Sequence, residues 1–313
     1  MKKTVGLFAY GEMGGSILRA LIKEFTVRWV ILPSPKIQSD TEKSTNEFAR
    51  KHKVRIVYAS LARELSDHIR TNKPDLVVVS SFNKIIPSEI IKMTKFINVH
   101  LGDLPRFRGR ANVNWAIIND RNSIGVTMHE VVSDLDAGNI YDQKMIAILK
   151  TDTVKTVYDK INTYLSQNVC RIVDKVLDGY QGVAQKGKAT YCCTRLPEDG
   201  LIDWNKTSQE LYNFVRALTK PYPGAYTYFE GKKVIIWSAE LPKKPKIYEG
   251  RVPGRIASII PNYGVEVLTG DSAIIIRNVF LQNKECNASE VIKSVKKTLG
   301  INWVEIYEKL YGH

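Results

Sequence analysis

"PDLVVVSSFNKIIPSEIIKMTKFINVH", Pro74 to His100, decides the fold. Leu76 to Val79 is an unbroken apolar run, too short for a helix and flanked by turn residues, which is the pattern of a strand buried on both faces. "PSEIIKMT" then has apolar residues at helical spacing, and "KFINVH" is a second strand. Working outward toward the N-terminus, "TVGLFAY", "VRWVILPS" and "VRIVYA" are further strands. Between them lie "GGSILRALIKEF", "EKSTNEFARKHK" and "LARELSDHIRTNK", with helical periodicity. Such alternation predicts an α/β fold with a doubly wound, Rossmann-like, mostly parallel sheet. Ligands in such sheets sit at the carboxyl ends of the strands. That is where Asn98 and His100 fall.

Working outward in the other direction, "IGVTMHEVV" and "GNIYDQKMIAI" form a strand pair joined by the turn "SDLDAG". The long amphipathic segment "DTVKTVYDKINTYLSQNVCRIVDKVLDG" predicts a helix packed on the sheet. After about Gly187 the character changes. "ATYCCTRLPEDGLIDW" reads as a linker and "SQELYNFVRALT" as a helix. Five short strands follow: "AYTYFEG", "KKVIIWSAE", "GRIASII", "GVEVLTG" and "AIIIRNVFL". They predict a small antiparallel, OB-like barrel. The expected domains are residues 1–202, catalytic with the linker, and residues 203–313, the small β domain.

The 313 residues are 44% hydrophobic and 25% charged, a globular composition, with a net charge of +14. Such a charge favours an anionic partner, although solubility alone is the plainer reading. Long like-charge blocks are absent from the sequence, so a basic nucleic-acid tail does not explain it. The four cysteines lack C-x-x-C spacing, and Cys192 and Cys193 are adjacent, so reduced structural thiols are expected. Glycines interrupt the first apolar run, which argues against a signal peptide. No window approaches the roughly 18 apolar residues of a spanning helix. A cytoplasmic location without membrane association is expected.

"YGEMGG" invites a dinucleotide reading, but the glycines are Gly11, Gly14 and Gly15, and the second strand ends on Leu32, Pro33 and Ser34. No carboxylate waits there for a ribose, so a tight strand-to-helix turn accounts for the glycines. The five histidines form no H-x-x-x-H set, and no metal is expected. His52, His68 and His313 sit in polar contexts and are expected on the surface. His129 either faces a ligand or is structural.

His100 is different. Asn98 lies two residues before it on the same strand face. The loop after it carries Pro105, Gly109 and the cations Arg106, Arg108 and Arg110, and the turn "SDLDAG" supplies Asp134 and Asp136. An amide, an imidazole and a carboxylate suit acyl transfer to an amine. The imidazole takes the amine proton, the amide N–H stabilises the oxyanion, and the carboxylate orients the imidazole and supports its charged form. No serine or cysteine is placed as a nucleophile, so the acceptor amine attacks directly.

These residues resemble the folate-dependent formyltransferases. "INVHLGDLPRFRG" and "GVTMHEVVSDLDAGNI" are similar to that family's N-x-H, leucine-proline loop ending in R-G, G-V-T and D-x-G. The resemblance implies transfer of a formyl group from the co-substrate 10-formyltetrahydrofolate to an amine. It maps the catalytic roles onto Asn98, His100 and Asp136. "SSFNKIIPSEI" is similar to the segment that holds the pterin by backbone around Ile86, which implicates Phe82, Lys84 and Ile86 in cofactor binding, with Asp134 beside them. The sequence departs from the family in "HLGDLP", where Asp103 is unexpected near anionic ligands.

"RGRA-x-x-NW", "TR-x-P-x-D" and "P-Y-P-G-A" are more similar to the sugar-nucleotide branch, in particular the UDP-4-amino-4-deoxy-L-arabinose formyltransferases, than to the methionyl-tRNA formyltransferases. That implies a nucleotide-sugar partner, a 4-amino sugar on UDP or dTDP, and a place in cell-surface polysaccharide biosynthesis. No nucleic-acid partner is then expected, and a homodimer is compatible. A nucleotide diphosphate needs converging cations, hydrogen-bonding groups and an aromatic surface for the base. Arg108, Arg110, Asn112, Trp115, Arg216 and Tyr222 are the candidates.

Overall fold

A computed structural model describes residues 2–58, 62–82, 84–301 and 303–311. The chain divides into two units. The first comprises residues 1–112, 123–147 and 157–193 and the second the rest.

In the first unit, strands and helices alternate: β1 (Thr4–Ala9), α1 (Gly11–Glu24), β2 (Thr26–Ile31), α2 (Asp40–Lys51), β3 (Arg55–Val57), α3 (Ala62–Thr71), β4 (Leu76–Ser80), α4 (Ser88–Ile91) and β5 (Lys95–His100). A two-residue strand β6 (Arg108–Gly109), the hairpin β7 (Ser123–Glu130) and β8 (Ile140–Ala147), the long helix α6 (Val154–Leu177) and the short β9 (Tyr191–Cys192) follow, while helix α5 (Asn112–Ile118), between β6 and β7 in the chain, falls in the second unit from Val113 onward. The sheet order is β3-β2-β1-β4-β5-β7-β8. The first five strands are parallel, and β5, β7 and β8 pair antiparallel. The α/β expectation therefore holds, with an antiparallel edge added by the hairpin.

The apolar run of Leu76–Val79 forms β4, whose residues are all buried. Trp29 on β2 anchors one face of the core, fully buried against Phe8, and its indole N–H donates to the Asn72 carbonyl at 2.9 Å. Burying such a side chain contributes about 1.5–3 kcal/mol. His68, expected on the surface, is instead buried with its ring edge-on to Trp29 at 5.4 Å, because the face of α3 that meets the sheet includes it. His52 is exposed as expected, and His313 lies outside the described residues. The glycines after β1 serve close packing. A Cβ on Gly14 would come within 2.5 Å of the Ala9 backbone, and one on Gly15 within 2.4 Å of Thr45 Oγ1 on α2. Helix α6 buries Val157, Ile161, Leu165, Val169, Ile172, Val173 and Val176, the single apolar stripe its sequence predicts.

The second unit contains helix α7 (Ser208–Leu218), whose Thr207 cap accepts the Glu210 N–H at 3.2 Å. Its strands are β10 (Ala225–Phe229), β11 (Lys232–Ile236), β12 (Ala239–Glu240), β13 (Ile256–Ile260), β14 (Gly264–Leu268), β15 (Ala273–Ile276), β16 (Asn278–Leu281) and β17 (Lys284–Asn287), followed by α8 (Ala288–Val291) and α9 (Trp303–Tyr311). They form two four-stranded antiparallel sheets, β10-β11-β16-β17 and β12-β15-β14-β13. The antiparallel expectation holds, but the five predicted strands become eight, because β17 is an added strand and two of the five divide. "KKVIIWSAE" and "AIIIRNVFL" each break in the middle, and their halves join different sheets. The Trp237 N–H donates to Asn278 O at 2.8 Å and the Arg277 N–H to Ser238 O at 2.9 Å, so the two breaks bridge each other. The pair bends as one ribbon from sheet to sheet, a known way to turn a β-sandwich corner. Among the described residues, no helix is long and apolar enough to cross a membrane.

Candidate active site

Strand register builds the site. β5 pairs with β7 so that Asn98 stands opposite His129 and His100 opposite Thr127. Directly opposed residues share a sheet face, so Asn98, His100 and His129 project together. The pairing of β7 with β8 shifts register between Met128 and His129. Such irregularities re-aim side chains. The turn between β7 and β8 then brings Asp136 to these three, with its backbone in the left-handed region at φ 49°.

Asp136 is the hub. Its Oδ2 accepts the Gly109 N–H at 3.0 Å and lies 3.5 Å from His100 Nδ1. Its Oδ1 lies 3.6 Å from His129 Nε2 and 3.5 Å from Asn98 Nδ2. Each imidazole is held on its far side by a backbone carbonyl. His100 Nε2 lies 2.7 Å from Phe107 O, and His129 Nδ1 lies 2.7 Å from Glu130 O. A carbonyl only accepts, so those nitrogens carry the hydrogens. In the neutral rings the bare nitrogens, His100 Nδ1 and His129 Nε2, therefore both face Asp136. The Asn98 amide donates to His129 Nε2 at 3.2 Å.

Burial sets the charge states. It disfavours the imidazolium of His100 and holds its pKa below the ordinary value, outweighing the opposite pull of Asp136. Burial pushes the Asp136 carboxyl up, but the contact with His129, the nearness of His100 and the Gly109 N–H bring it down to about 2. The result is a neutral base beside a permanent carboxylate.

The loop after β5 is packed around His100. A Cβ on Gly102 would come within 2.6 Å of Phe107 O and 2.8 Å of His100 Nε2. Gly109 adopts φ +94°, and a Cβ there would meet Cys192 O at 2.4 Å, because β6 lies directly on β9. The unexpected Asp103 is buried and pairs with Arg106, removing one of the three loop cations from ligand duty. Arg108 is half-buried and donates to Gln185 Oε1 at 2.8 Å, while Arg110 is exposed.

Two predicted substrate residues are buried and engaged by neighbouring groups. Asn112 is buried, and its amide donates to Phe107 O at 2.6 Å and lies 3.0 Å from His100 Nε2. It holds the carbonyl that orients the His100 ring. Arg216 is also buried. Its guanidinium donates to Asp152 O at 2.8 Å, Leu149 O at 3.3 Å and Asn213 Oδ1 at 3.0 Å. Trp115 and Tyr222 belong to the second unit and are half-buried, with the Arg195 guanidinium 4.8 Å from the centre of the Trp115 ring. Among the cofactor candidates, Ile86 is buried in the core cluster, Phe82 packs edge-on to Phe8 at 4.7 Å, and Lys84 and Asp134 are exposed.

The N-terminal model of the formyl transferase family matches residues 24–173, and its C-terminal domain model matches residues 196–296. The chain belongs to the formyl transferase family. Among similar proteins, the methionyl-tRNA formyltransferase of Geobacillus sp. (strain WCH70) is 34% identical over 233 residues, 72% of both chains. The bifunctional polymyxin resistance protein ArnA of Wigglesworthia glossinidia brevipalpis is 34% identical over 272 residues, 82% of this chain. This chain spans only 40% of that relative's length. The crystal structure of a HypX variant from Aquifex aeolicus shares the fold at a TM-score of 0.67 and 18% identity, covering 93% of this chain and 47% of that one.

For this formyl transferase, sequence reasoning missed two supports of the site. Gln185, in the segment after α6, donates to the carbonyls of Asp136 and Gly138 at 2.7 and 2.9 Å and so pins the turn that carries Asp136. No local pattern marks it. His129 was left open, and its signal was its place on the strand opposite Asn98, which becomes readable once the antiparallel register is known.

Proposed function

We propose that the chain transfers a formyl group from 10-formyltetrahydrofolate to the amino group of a 4-amino sugar carried on UDP or dTDP. The observation that carries the chemistry is the convergence of the Asn98 amide, the bare Nδ1 of His100 and the ionised Asp136. The acceptor amine attacks the formyl carbon, and the carbonyl electrons move to its oxygen. The Asn98 N–H stabilises that oxyanion. His100 Nδ1 takes the proton from the attacking nitrogen, and the fixed negative charge of Asp136 supports the imidazolium so formed. Collapse of the adduct breaks the bond to N10 of the folate, which takes up a proton as it leaves.

The acceptor reading rests on the run Arg108 to Trp115, "RGRANVNW", directly beyond the catalytic strand, with Arg108 and Arg110 as its phosphate-facing cations. Phe82, Lys84, Ile86 and Asp134 are the proposed folate contacts, and Trp115 and Tyr222 the proposed base contacts. A second reading, methionyl-tRNA formyl transfer, is favoured by the 34% identity to the Geobacillus enzyme and by the charge of +14. A third, a folate or nucleotide binder without catalysis, is disfavoured by the intact Asn98, His100 and Asp136. The deciding experiment is a side-by-side formylation assay of amino-sugar nucleotides and charged initiator tRNA. Formylated sugar nucleotide is the expected product. Efficient use of the tRNA with no sugar nucleotide accepted overturns the acceptor assignment.

A further inference from the structure

We infer that His100 Nδ1, His129 Nε2 and the Asp136 carboxylate form a binding site for a divalent transition metal, zinc above all, and that the bound ion blocks the reaction. The three residues each offer one ligand atom, and these atoms lie within 4.8 Å of one another. His100 Nδ1 lies 3.5 Å from Asp136 Oδ2 and His129 Nε2 lies 3.6 Å from Asp136 Oδ1, so the two imidazoles address opposite oxygens of one carboxylate and small shifts bring all three groups onto one ion. Bonds of about 2.0–2.1 Å at tetrahedral angles set ligand atoms about 3.3–3.5 Å apart.

The surroundings of the rings point the same way. A ligating histidine almost always gives its other ring N–H to a carbonyl or carboxylate, which fixes the tautomer and aims the lone pair. Both rings meet that condition, at Phe107 O and Glu130 O, each at 2.7 Å. The carboxylate in turn is held by the Gly109 N–H at 3.0 Å. The outer supports of a metal site are therefore in place around three inward-facing donors, and an entering ion displaces the Asn98 amide from His129 Nε2, where it now donates at 3.2 Å. Asp136 keeps 10% side-chain exposure. Two imidazoles and one carboxylate suit zinc, copper, nickel or iron(II), whereas magnesium and calcium prefer all-oxygen sites. Three protein ligands leave the fourth tetrahedral position to water.

The ion is an inhibitor here and not a cofactor. It ties up the lone pair with which His100 takes the amine proton, and it lies where the Asn98 and Asp136 groups act. This consequence rests on the formyl-transfer reading, but the binding itself does not. The test is therefore made first without any substrate. The full chain, stripped with chelator, is titrated with Zn2+ against a chromophoric chelator, and with Co2+ for its ligand-field absorption. One ion per chain with the intense visible bands of four-coordinate Co2+ is expected, unaffected by excess Mg2+. His129→Gln and Asp136→Asn should each weaken zinc binding more than about tenfold, since loss even of an outer support costs 10–100-fold. Circular dichroism checks both folds, and the near-isosteric Asp136→Asn serves if His129→Gln unfolds. No zinc bound, or zinc bound equally by wild type and variants, overturns the site. Loss of formyl transfer on adding Zn2+, restored by EDTA, is then expected. Full activity with one equivalent bound at this site overturns the inhibition.

Discussion

At His100, two demands pull against each other. A base must be neutral before the reaction and positive during it. Burial supplies the first by holding its pKa below the ordinary histidine value, and Asp136 supplies the second. His100→Ala should therefore lower kcat by about 10²–10⁴-fold, with sugar-nucleotide binding by calorimetry largely retained. Near-normal turnover in the folded variant removes His100 from the chemistry. The same burial predicts a pH effect on stability. As pH falls below about 6.5, the unfolded chain takes up the proton before the native one does. Native stability contributed by the neutral ring is thus present above that value and is lost as pH falls toward the depressed native one. In EDTA, the denaturant midpoint should drop across this window in wild type and less steeply in His100→Gln. The two carboxylates of the turn separate as well. Asp136 touches His100, His129, Asn98 and Gly109, whereas Asp134 is exposed. Asp136→Asn should lose far more activity than Asp134→Asn, and equal losses in kcat would reassign the carboxylate.

At the scale of elements, what was legible in the sequence follows from periodicity. Leu76–Val79 could only be a buried strand, and the stripe on α6 could only be a helix face. Asn98 and His100 were readable as a pair because a strand has period two. The hydrogen-bond partners of Asn112 and Arg216 were not, since the local sequence does not reveal those acceptors: Phe107 O behind the His100 ring, and Leu149 O and Asp152 O more than sixty residues from Arg216. The breaks at Trp237 and Arg277 were hidden for a similar reason, as only their mutual pairing makes the ribbon bend. The burial of Arg216 yields a test. Arg216→Ala strands the Leu149, Asp152 and Asn213 oxygens and should cost about 1–3 kcal/mol for each acceptor left dry. Its denaturant midpoint should fall while KM for the sugar nucleotide stays near wild type. A raised KM with unchanged stability would return Arg216 to the substrate.

For the whole molecule, the net charge of +14 is the property on which the two acceptor readings diverge. Charge attracts any anion, so tight binding of either acceptor at low salt decides nothing. The response to salt does. A polynucleotide carries a condensed counterion atmosphere, and each phosphate neutralised by lysine or arginine releases part of it. A protein gripping a nucleic-acid duplex, such as the stem of a tRNA, through 6–10 such contacts loses about 10³–10⁵ in affinity between about 50 and 200 mM salt. A sugar nucleotide has two phosphates and no such atmosphere. Salt then acts only by screening, which at contact distance inside a half-buried loop is weak even when the Debye length falls to about 8 Å. The proposed phosphate-facing cations of this loop are Arg108 and Arg110, and Arg106 pairs with Asp103. We therefore expect kcat/KM for the true acceptor to fall by no more than about tenfold over that range, with the Arg108→Ala and Arg110→Ala variants flattening the dependence further. The measurement is a salt series of initial rates with the best sugar nucleotide. A steep linear fall of log kcat/KM with log salt, unaffected by those two substitutions, would overturn the assignment of the diphosphate to Arg108 and Arg110.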